Sequence, residues 1–337
     1  MKSALTHAVS PAPPAVTIVA GPWTQEARQL AFDRAVHEHY LAYVTRALKQ
    51  RNWSPWHDLP LDEMHERGHL LSGDTANLIE GFMGVEEFVG DYVQEGLIAF
   101  RESRMRRNIH LQWGAEEARH GVAWELLLKH SHARTEMELT AYLDKIRDSH
   151  WRQQQHAGVE SPLATTVYAM IQERTTFFHY QEVRARVRAE YGLPIAPTAE
   201  ERQRGYEIGA SEACRLVTQD ELAHHSLFLH IVRSALKYFP SLTCDTLAQV
   251  FAGFSMPALR FIPKVRTYLR AVKRTNIYSE KIHEEKVHKP VLNSLGFDDQ
   301  QAFENAVQRS HYLPEHFNPE DVQLSRTGEW LVTATHA

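Results

Sequence analysis

Cysteine is scarce in this sequence of 337 residues, which contains only Cys214 and Cys244. Two cysteines cannot form the disulfide framework of a small secreted domain, and they are too few to supply the four thiolates that usually hold an iron–sulfur cluster. The scarcity fits a reducing compartment, so we expect a cytoplasmic protein.

Long apolar runs and a surplus of one charge are also missing. No run approaches the ~20 apolar residues that a membrane-spanning helix needs, so we expect no transmembrane segment. The net charge of −5 gives no general reason to expect nucleic-acid binding. The first residues soon reach the proline-rich stretch 10–14, so residues 1–22 are predicted to form a mobile N-terminal arm and not a signal peptide.

Apolar residues instead recur at helical spacing over most of the chain, and the alternation typical of strands is almost absent. An all-α protein is therefore predicted, with a single domain over residues 23–313 and a weakly structured tail over residues 314–337. The content of 43% hydrophobic and 23% charged residues is ordinary for a globular protein. Long helices are expected over about residues 24–51, 72–100, 161–191 and 198–239, and another is expected to follow the basic patch 101–107 and to end near residue 130.

The helix expected to end near residue 130 carries Glu117 and His120. Residues three apart lie on the same face of a helix, so one helix can present a carboxylate and an imidazole together. The same Glu-x-x-His spacing recurs at Glu221 and His224. One such pair arises easily by chance in a charged helix, whereas two pairs in separate helices suggest a shared site.

Two more acids, Glu86 and Glu173, lie within apolar helical runs, each one helix upstream of a Glu-x-x-His pair. Burying a carboxylate without a partner is unfavourable, so a metal ion or a charge partner is expected at each. A glutamate followed by a Glu-x-x-His pair, twice over, is the ligand order of carboxylate-bridged di-iron bundles. The alternative from the residues alone is a structural charge network that includes Arg119 and Arg174.

Five stretches of the sequence match, in order, the motifs of a known family. They are Asn52-Trp53-Ser54-Pro55, Val85-Glu86-Glu87, WGAEEARHG over residues 113–121, QERTTF over residues 172–177 and DELAH over residues 220–224. The chain thereby resembles the soluble acyl-acyl-carrier-protein desaturases, the ferritin-like di-iron enzymes of plants and actinobacteria. The resemblance covers roughly residues 50–260.

This resemblance implies a ferritin-like four-helix bundle core that carries a di-iron site, with additional flanking helices. The implied iron ligands are Glu86, Glu117, His120, Glu173, Glu221 and His224, with Glu117 and Glu221 as the bridging pair. Thr176 matches a threonine beside the oxygen-binding face, where a hydroxyl helps to deliver protons. Trp53 and Asp220 match residues that, with His120, form the family's proposed electron path to two iron ions cycling between Fe2+ and Fe3+. Asp220 would also orient the ring of His120.

The implied activity is an O2-dependent desaturation that introduces a double bond into a fatty acyl chain carried on acyl carrier protein. A ferredoxin-type electron donor and a homodimer are implied as well. A basic run in this acidic protein would steer an acidic carrier protein, although an ordinary solvated face is the other interpretation. The run comprises Arg260, Lys264, Arg266, Arg270, Lys273, Arg274 and Lys281.

Two positions depart from the family pattern. His225 stands where a glutamate is common, and Tyr180 stands where the plant enzymes usually have a histidine. These changes leave the ligand set intact, but they motivate a second hypothesis, a desaturase-like di-iron oxygenase acting on a specialised or short acyl substrate in secondary metabolism. A third hypothesis is a non-catalytic ferritin-like iron-binding protein, which would take up far more than two irons per chain.

Overall fold

The computed structural model describes residues 23–152 and 161–332. Over these ranges the chain is almost entirely helical, which confirms the predicted all-α class. In chain order the helices are α1 (Gln25–Gln50), α2 (Leu61–Arg67), α3 (Gly73–Glu86), α4 (Val89–Ala99), α5 (Arg104–His130), α6 (Glu136–Asp144), α7 (Pro162–Glu190), α8 (Ala199–Arg204), α9 (Ala210–Tyr238), α10 (Pro240–Gly253), α11 (Val265–Thr275), α12 (Glu280–His283), α13 (Lys289–Leu295) and α14 (Gln300–Ser310). None of these described helices is long and apolar enough to cross a membrane.

The core of the molecule is a bundle made by α5, α7, α9 and the consecutive pair α3 and α4. Helices α7 and α9, of 29 residues each, form the most extensive helix pair among the described elements. Helix α5 packs against α3, α4 and α9, while α1 lies along α9 and α11 lies along α3. This is the four-helix core with additional flanking helices that the sequence predicts.

Several helices begin where the sequence places a capping residue. The Ser161 hydroxyl accepts the N–H of Ala164, and Pro162 occupies the first turn of α7, where it has no helical hydrogen bond to lose. Ser72 and Ser103 cap α3 and α5 in the same way. The predicted start of the helix that carries Glu173 is therefore confirmed.

The single helix predicted over residues 72–100 is wrong, because the chain turns between Glu86 and Val89 and forms α3 and α4. At this turn the Tyr92 hydroxyl donates to the Val85 carbonyl at 3.0 Å, which gives that oxygen a side-chain donor. Apolar residues continue at helical spacing on both sides, so the periodicity of the sequence does not reveal the break. The turn leaves Glu86 as the last residue of α3.

The long helix predicted to open at Thr198 is also two helices. The capping box of Thr198 and Glu201 is present, but α8 ends after 6 residues at Gly205, whose φ of 84° is left-handed. Helix α9 begins after Gly209, whose φ of 57° is again positive. Glycine adopts such backbone angles without steric strain, so these two residues end one helix and permit the next to start in a new direction.

The C-terminal segment carries an antiparallel hairpin, in which β1 (Val322–Leu324) pairs with β2 (Trp330–Val332). The indole of Trp330 donates to the Ala306 carbonyl at 2.9 Å and fastens the hairpin to α14. This corrects the expectation of a weakly structured tail as far as residue 332, and strands of three residues are too short to show an alternating pattern. The predicted arm over residues 1–22 lies outside the described residues, and the division into domains stays a prediction.

Candidate metal centre

Six buried side chains from the four core helices meet in the middle of the bundle. They fall into two overlapping groups, Glu86, Glu117, His120 and Glu221, and Glu117, Glu173, Glu221 and His224. Within each group one possible ligand atom per residue lies within 4.8 Å of the others. All six residues are at most 5% exposed. The structure thus brings together every residue that the sequence nominates as a metal ligand.

Glu117 and Glu221 belong to both groups and therefore lie between the other donors. Nδ1 of His120 is 3.3 Å from Glu117 Oε2 and 3.1 Å from Glu221 Oε1. Nδ1 of His224 is 2.7 Å from Glu117 Oε1. Both imidazoles thus turn the same ring nitrogen toward the shared carboxylates. Two metal ions, one in each group, would be bridged by Glu117 and Glu221.

The hydrogen bonding inside the cluster is incomplete. Glu117 Oε1, Glu221 Oε1 and His120 Nδ1 are buried and have no hydrogen-bond partner among the described residues. Buried polar atoms are normally satisfied, so three orphans in one place require an explanation. A bound metal ion would explain these atoms, because a site of carboxylate oxygens and imidazole nitrogens without thiolates suits iron and similar metals.

The electrostatics of the cluster also favour a bound cation. Burial, together with the negative charge of Glu117, raises the pKa of Glu86 well above its usual range, and the same causes raise the pKa of Glu173. Burial alone would lower the pKa of His120, but the Glu117 carboxylate beside it raises that pKa well above the ordinary value. A divalent cation neutralises such a concentration of negative charge.

The far side of the His120 ring contacts an outer set of side chains. Nε2 of His120 lies 3.3 Å from Asp220 Oδ2. The same oxygen accepts the indole N–H of Trp53 at 2.8 Å and Arg119 Nη2 at 3.1 Å. The rings of Trp53 and His120 are nearly parallel, with centroids 6.3 Å apart. The three residues of the predicted electron path are therefore in contact, and a carboxylate on the free ring nitrogen fixes the orientation of the imidazole.

His224 has a separate and similar set of partners. Its Nε2 lies 2.9 Å from Glu116 Oε2, which also accepts the Tyr43 hydroxyl at 2.5 Å. Although burial would raise it, the hydrogen bond with His224 lowers the pKa of Glu116 to about 2. Arg51 Nη1 lies 3.3 Å from both Glu116 Oε2 and Asp220 Oδ1, so this buried guanidinium joins the two sets.

Sequence reasoning missed Glu116, although a signal for it exists. Glu116 precedes Glu117 in the first motif just as Asp220 precedes Glu221 in the second. In each case the preceding acid contacts the histidine of the other helix. A search for matching positions in the two motifs would therefore have found it.

The alternative network, in which Arg119 and Arg174 pair with the predicted ligands, does not form among the described residues. Arg119 pairs with Asp220, and Arg174 donates to the carbonyl of Lys286 at 3.2 Å. Neither guanidinium therefore neutralises the carboxylates of the cluster. A purely structural charge network is correspondingly less able to explain why the six donors are buried together.

Buried donors from other helices also reach the carboxylates. The Thr176 hydroxyl donates a hydrogen bond to Glu221 Oε2, while its role in proton delivery stays a prediction. The hydroxyl of Tyr180 donates to Glu86 Oε1. Sequence reasoning registered Tyr180 only as a departure from the family pattern and did not identify this contact.

Comparison with known proteins agrees with this geometry. The family model described as fatty acid desaturase matches residues 106–312, which is more than half of the chain. The chain belongs to the fatty acid desaturase family. The fold of this desaturase resembles the X-ray structure of DesA2 from Mycobacterium tuberculosis H37Rv, a candidate acyl-ACP desaturase. The TM-score is 0.51 and the sequence identity is 16%, and the match covers 79% of this chain and 93% of that chain. No curated protein matches the chain. The resemblance inferred from the five motifs is confirmed.

In this desaturase Trp53 lies between the cluster and the surface. Its indole N–H faces Asp220, and the residue also lines a cavity of about 530 Å³ together with His57, Tyr206 and Arg215. Trp53 itself is only 7% exposed. A continuous series of contacts therefore runs from this surface cavity through Trp53 and Asp220 to His120.

Proposed function

We propose that this desaturase holds two iron ions and uses dioxygen to introduce a double bond into a fatty acyl chain carried on acyl carrier protein. The observation that carries the proposal is the overlap of the two donor groups, because Glu117 and Glu221 belong to both. Two hydrogens leave neighbouring carbons of the acyl chain. Together with two electrons and two protons from outside, they reduce one dioxygen to two water molecules, so the reaction balances.

Bound iron would supply the activation of dioxygen, a chemistry that amino-acid side chains lack. The protein's part is to hold the donors and to control protons. Asp220 and Glu116 hold Nε2 of His120 and His224, which keeps the other ring nitrogen of each turned toward the shared carboxylates. Thr176 would move a proton at Oγ1, and its burial and its hydrogen bond to Glu221 support this role.

Electrons would come one at a time from a ferredoxin-type donor. The contacts that support this route are the 2.8 Å hydrogen bond between Trp53 and Asp220 and the 3.3 Å approach of Asp220 to His120. A Trp53→Phe variant keeps an aromatic ring but loses the N–H. We expect slower reduction of the iron by the donor protein and unchanged iron content. An unchanged reduction rate would contradict this route.

Helix α11 supports the acyl carrier protein as the partner. Between residues 257 and 281, Glu280 is the sole acidic residue among the seven basic residues of the run. On the side of the helix that faces α3, the half-buried Tyr268 packs against Phe82 of α3 with ring centroids 6.2 Å apart. Phe82 lies one turn before Glu86. The basic surface is therefore linked through two rings to the wall of the cluster.

Charge reversal tests this docking surface. Arg266 and Lys273 are exposed and lie two turns apart on α11. Replacing both with glutamate is expected to raise KM for the acylated carrier severalfold and to leave kcat unchanged, because surface charges act mainly on association. Lys49→Glu, an exposed change on α1, is the control. Equal KM values for the double variant and the control would contradict docking on α11.

The activity itself is tested with purified, iron-loaded protein, a ferredoxin reducing system, dioxygen and acyl carrier proteins bearing chains of several lengths. We expect two irons per chain and a product that has lost two hydrogen atoms. A product that has gained an oxygen atom would favour the specialised oxygenase, and iron uptake far beyond two per chain would favour the storage protein. Unchanged acyl chains across all substrates would contradict both enzymatic functions. The homodimer stays a prediction, which sedimentation tests.

A further inference from the structure

Tyr180 stands at one of the two positions where the sequence departs from the family pattern, and its hydroxyl donates a hydrogen bond to one of the predicted metal ligands. It follows Glu173 by seven residues on α7, which is two helical turns, so both side chains leave the same face of the helix. Across the bundle the Tyr180 hydroxyl donates to Oε1 of Glu86, the last residue of α3.

The ring of Tyr180 is held tightly. It meets Phe82 edge to face with centroids 4.7 Å apart and Trp124 with centroids 5.1 Å apart. The residue is 1% exposed, so bulk water cannot replace Glu86 as the hydrogen-bond partner of its hydroxyl. Because both ring neighbours are buried aromatic side chains, the hydroxyl stays directed at Glu86.

The other terminal carboxylate of the cluster has a comparable donor. The indole N–H of Trp113 donates to Glu173 Oε1 at 3.0 Å, and Glu173 Oε2 lies 3.3 Å from His224 Nδ1. In both Glu86 and Glu173, therefore, Oε1 accepts a hydrogen bond from a buried aromatic side chain. The second oxygen of each carboxylate is left for a metal.

On the basis of the proposed function, we propose that Tyr180 is a positioning residue that keeps Glu86 a one-oxygen ligand. A carboxylate binds a metal through either one or both oxygens, and a hydrogen bond to one oxygen favours the first mode. One coordination position then stays free at the iron that Glu86 shares with His120. Without the hydroxyl, both oxygens of Glu86 would be equivalent and able to bind the same iron.

Tyr180→Phe tests the inference, because it removes the hydroxyl and keeps the ring. The matched control is Tyr168→Phe on the same helix, since Tyr168 is also buried and donates to the Ser255 carbonyl at 2.9 Å, away from the cluster. Iron content, Mössbauer spectra and near-infrared circular dichroism of the reduced, iron-loaded proteins are compared. Thermal unfolding of each variant reports any general loss of structure.

We expect Tyr180→Phe to retain two irons per chain and to change the signal of one iron toward a higher coordination number, while the other iron is unaltered. Tyr168→Phe is expected to match the wild type. Spectra of Tyr180→Phe that match those of an iron-loaded wild type would overturn this inference alone. So would equal changes in both variants, since these would reflect general loosening. A wild-type chain that binds no pair of irons would overturn the proposed function and this inference with it.

Discussion

Asp220 is the buried acid on which the donors around His120 converge, and Asp220→Asn removes its charge at almost constant shape. Oδ2 accepts from Trp53 and Arg119 and faces His120 Nε2. Oδ1 faces Arg51 Nη1 at 3.3 Å. All four neighbours are donors, whereas an amide offers one acceptor oxygen and one donor nitrogen. If the oxygen of the new amide stays with the three donors, its NH2 group faces the guanidinium of Arg51.

The magnitude follows from the partners that remain. A hydrogen bond with a charged partner contributes about 1.5–3 kcal/mol. The larger penalty of an orphaned buried charge does not apply, because Arg51 keeps Glu116 and Arg119 keeps the carbonyl of Trp53. We therefore expect the free energy of unfolding of the metal-free protein to fall by about 2–3 kcal/mol. Iron should bind about 10–100-fold more weakly, because His120 loses the carboxylate that orients it.

Urea unfolding of the metal-free protein measures the first quantity, and competition with an iron(II) chelator measures the second. Asp245→Asn on α10 is the control, since the Asp245 side chain is 39% exposed and pairs with His311 at the surface. This control is expected to change stability by at most about 0.5 kcal/mol. If Asp220→Asn and the control gave equal stabilities and equal iron affinities, the role assigned to Asp220 would be refuted.

Three further predictions concern pH, a buried ion pair and helix packing. Although burial would lower them, Glu117 and Tyr43 beside the rings raise the pKa values of His120 and His224 well above 6.5, and burial also raises the pKa values of Glu86 and Glu173. Above about pH 6.5 the buried histidines with a lowered pKa, such as His110, His179 and His225, are neutral in both states, so the folded metal-free protein holds more protons than the unfolded chain. Its stability in urea should therefore fall as pH rises above about 6.5, and iron loading should remove this trend. Arg188→Met, which removes a fully buried cation from two buried glutamates, should lower the free energy of unfolding by about 3–5 kcal/mol without changing iron content. Gly81→Ala would place a Cβ 2.1 Å from the Tyr268 ring, so the free energy of unfolding from thermal melting should fall by about 1–3 kcal/mol. An unchanged melting curve would contradict the packing of α11 on α3.

Local rules explain why the predicted ligands could be found from the sequence. The i, i+3 spacing of Glu117 and His120 fixes their common face once the segment is helical, and the apolar neighbours of Glu86 and Glu173 indicate that both acids are buried. Capping residues such as Ser161 mark helix starts for the same reason, since they act on the first turn. These signals lie within a few residues of the feature that they predict.

The features that escaped prediction depend on residues far apart in the sequence. The hydrogen bond between Tyr43 and Glu116 joins positions 73 residues apart, and no local pattern in α1 marks Tyr43 as its donor. The turn after Glu86 is equally hidden, because the apolar periodicity continues through it and the Tyr92 hydroxyl satisfies the Val85 carbonyl. Tyr180 was accessible in principle, since its spacing of two turns from Glu173 already places both on one face.

The outer contacts of the two histidines cross between helices, and this crossing determines how the centre is held. Asp220 of α9 contacts His120 of α5, while Glu116 of α5 contacts His224 of α9. A rotation of either helix would therefore disturb both imidazoles at once. Arg51 contacts both acids and resists that rotation from outside the cluster. Because α5 and α9 together supply both imidazoles and both shared carboxylates, the two predicted metal positions are coupled through this helix pair. Tyr180 of α7 acts on one position alone, through its hydrogen bond to Glu86 of α3.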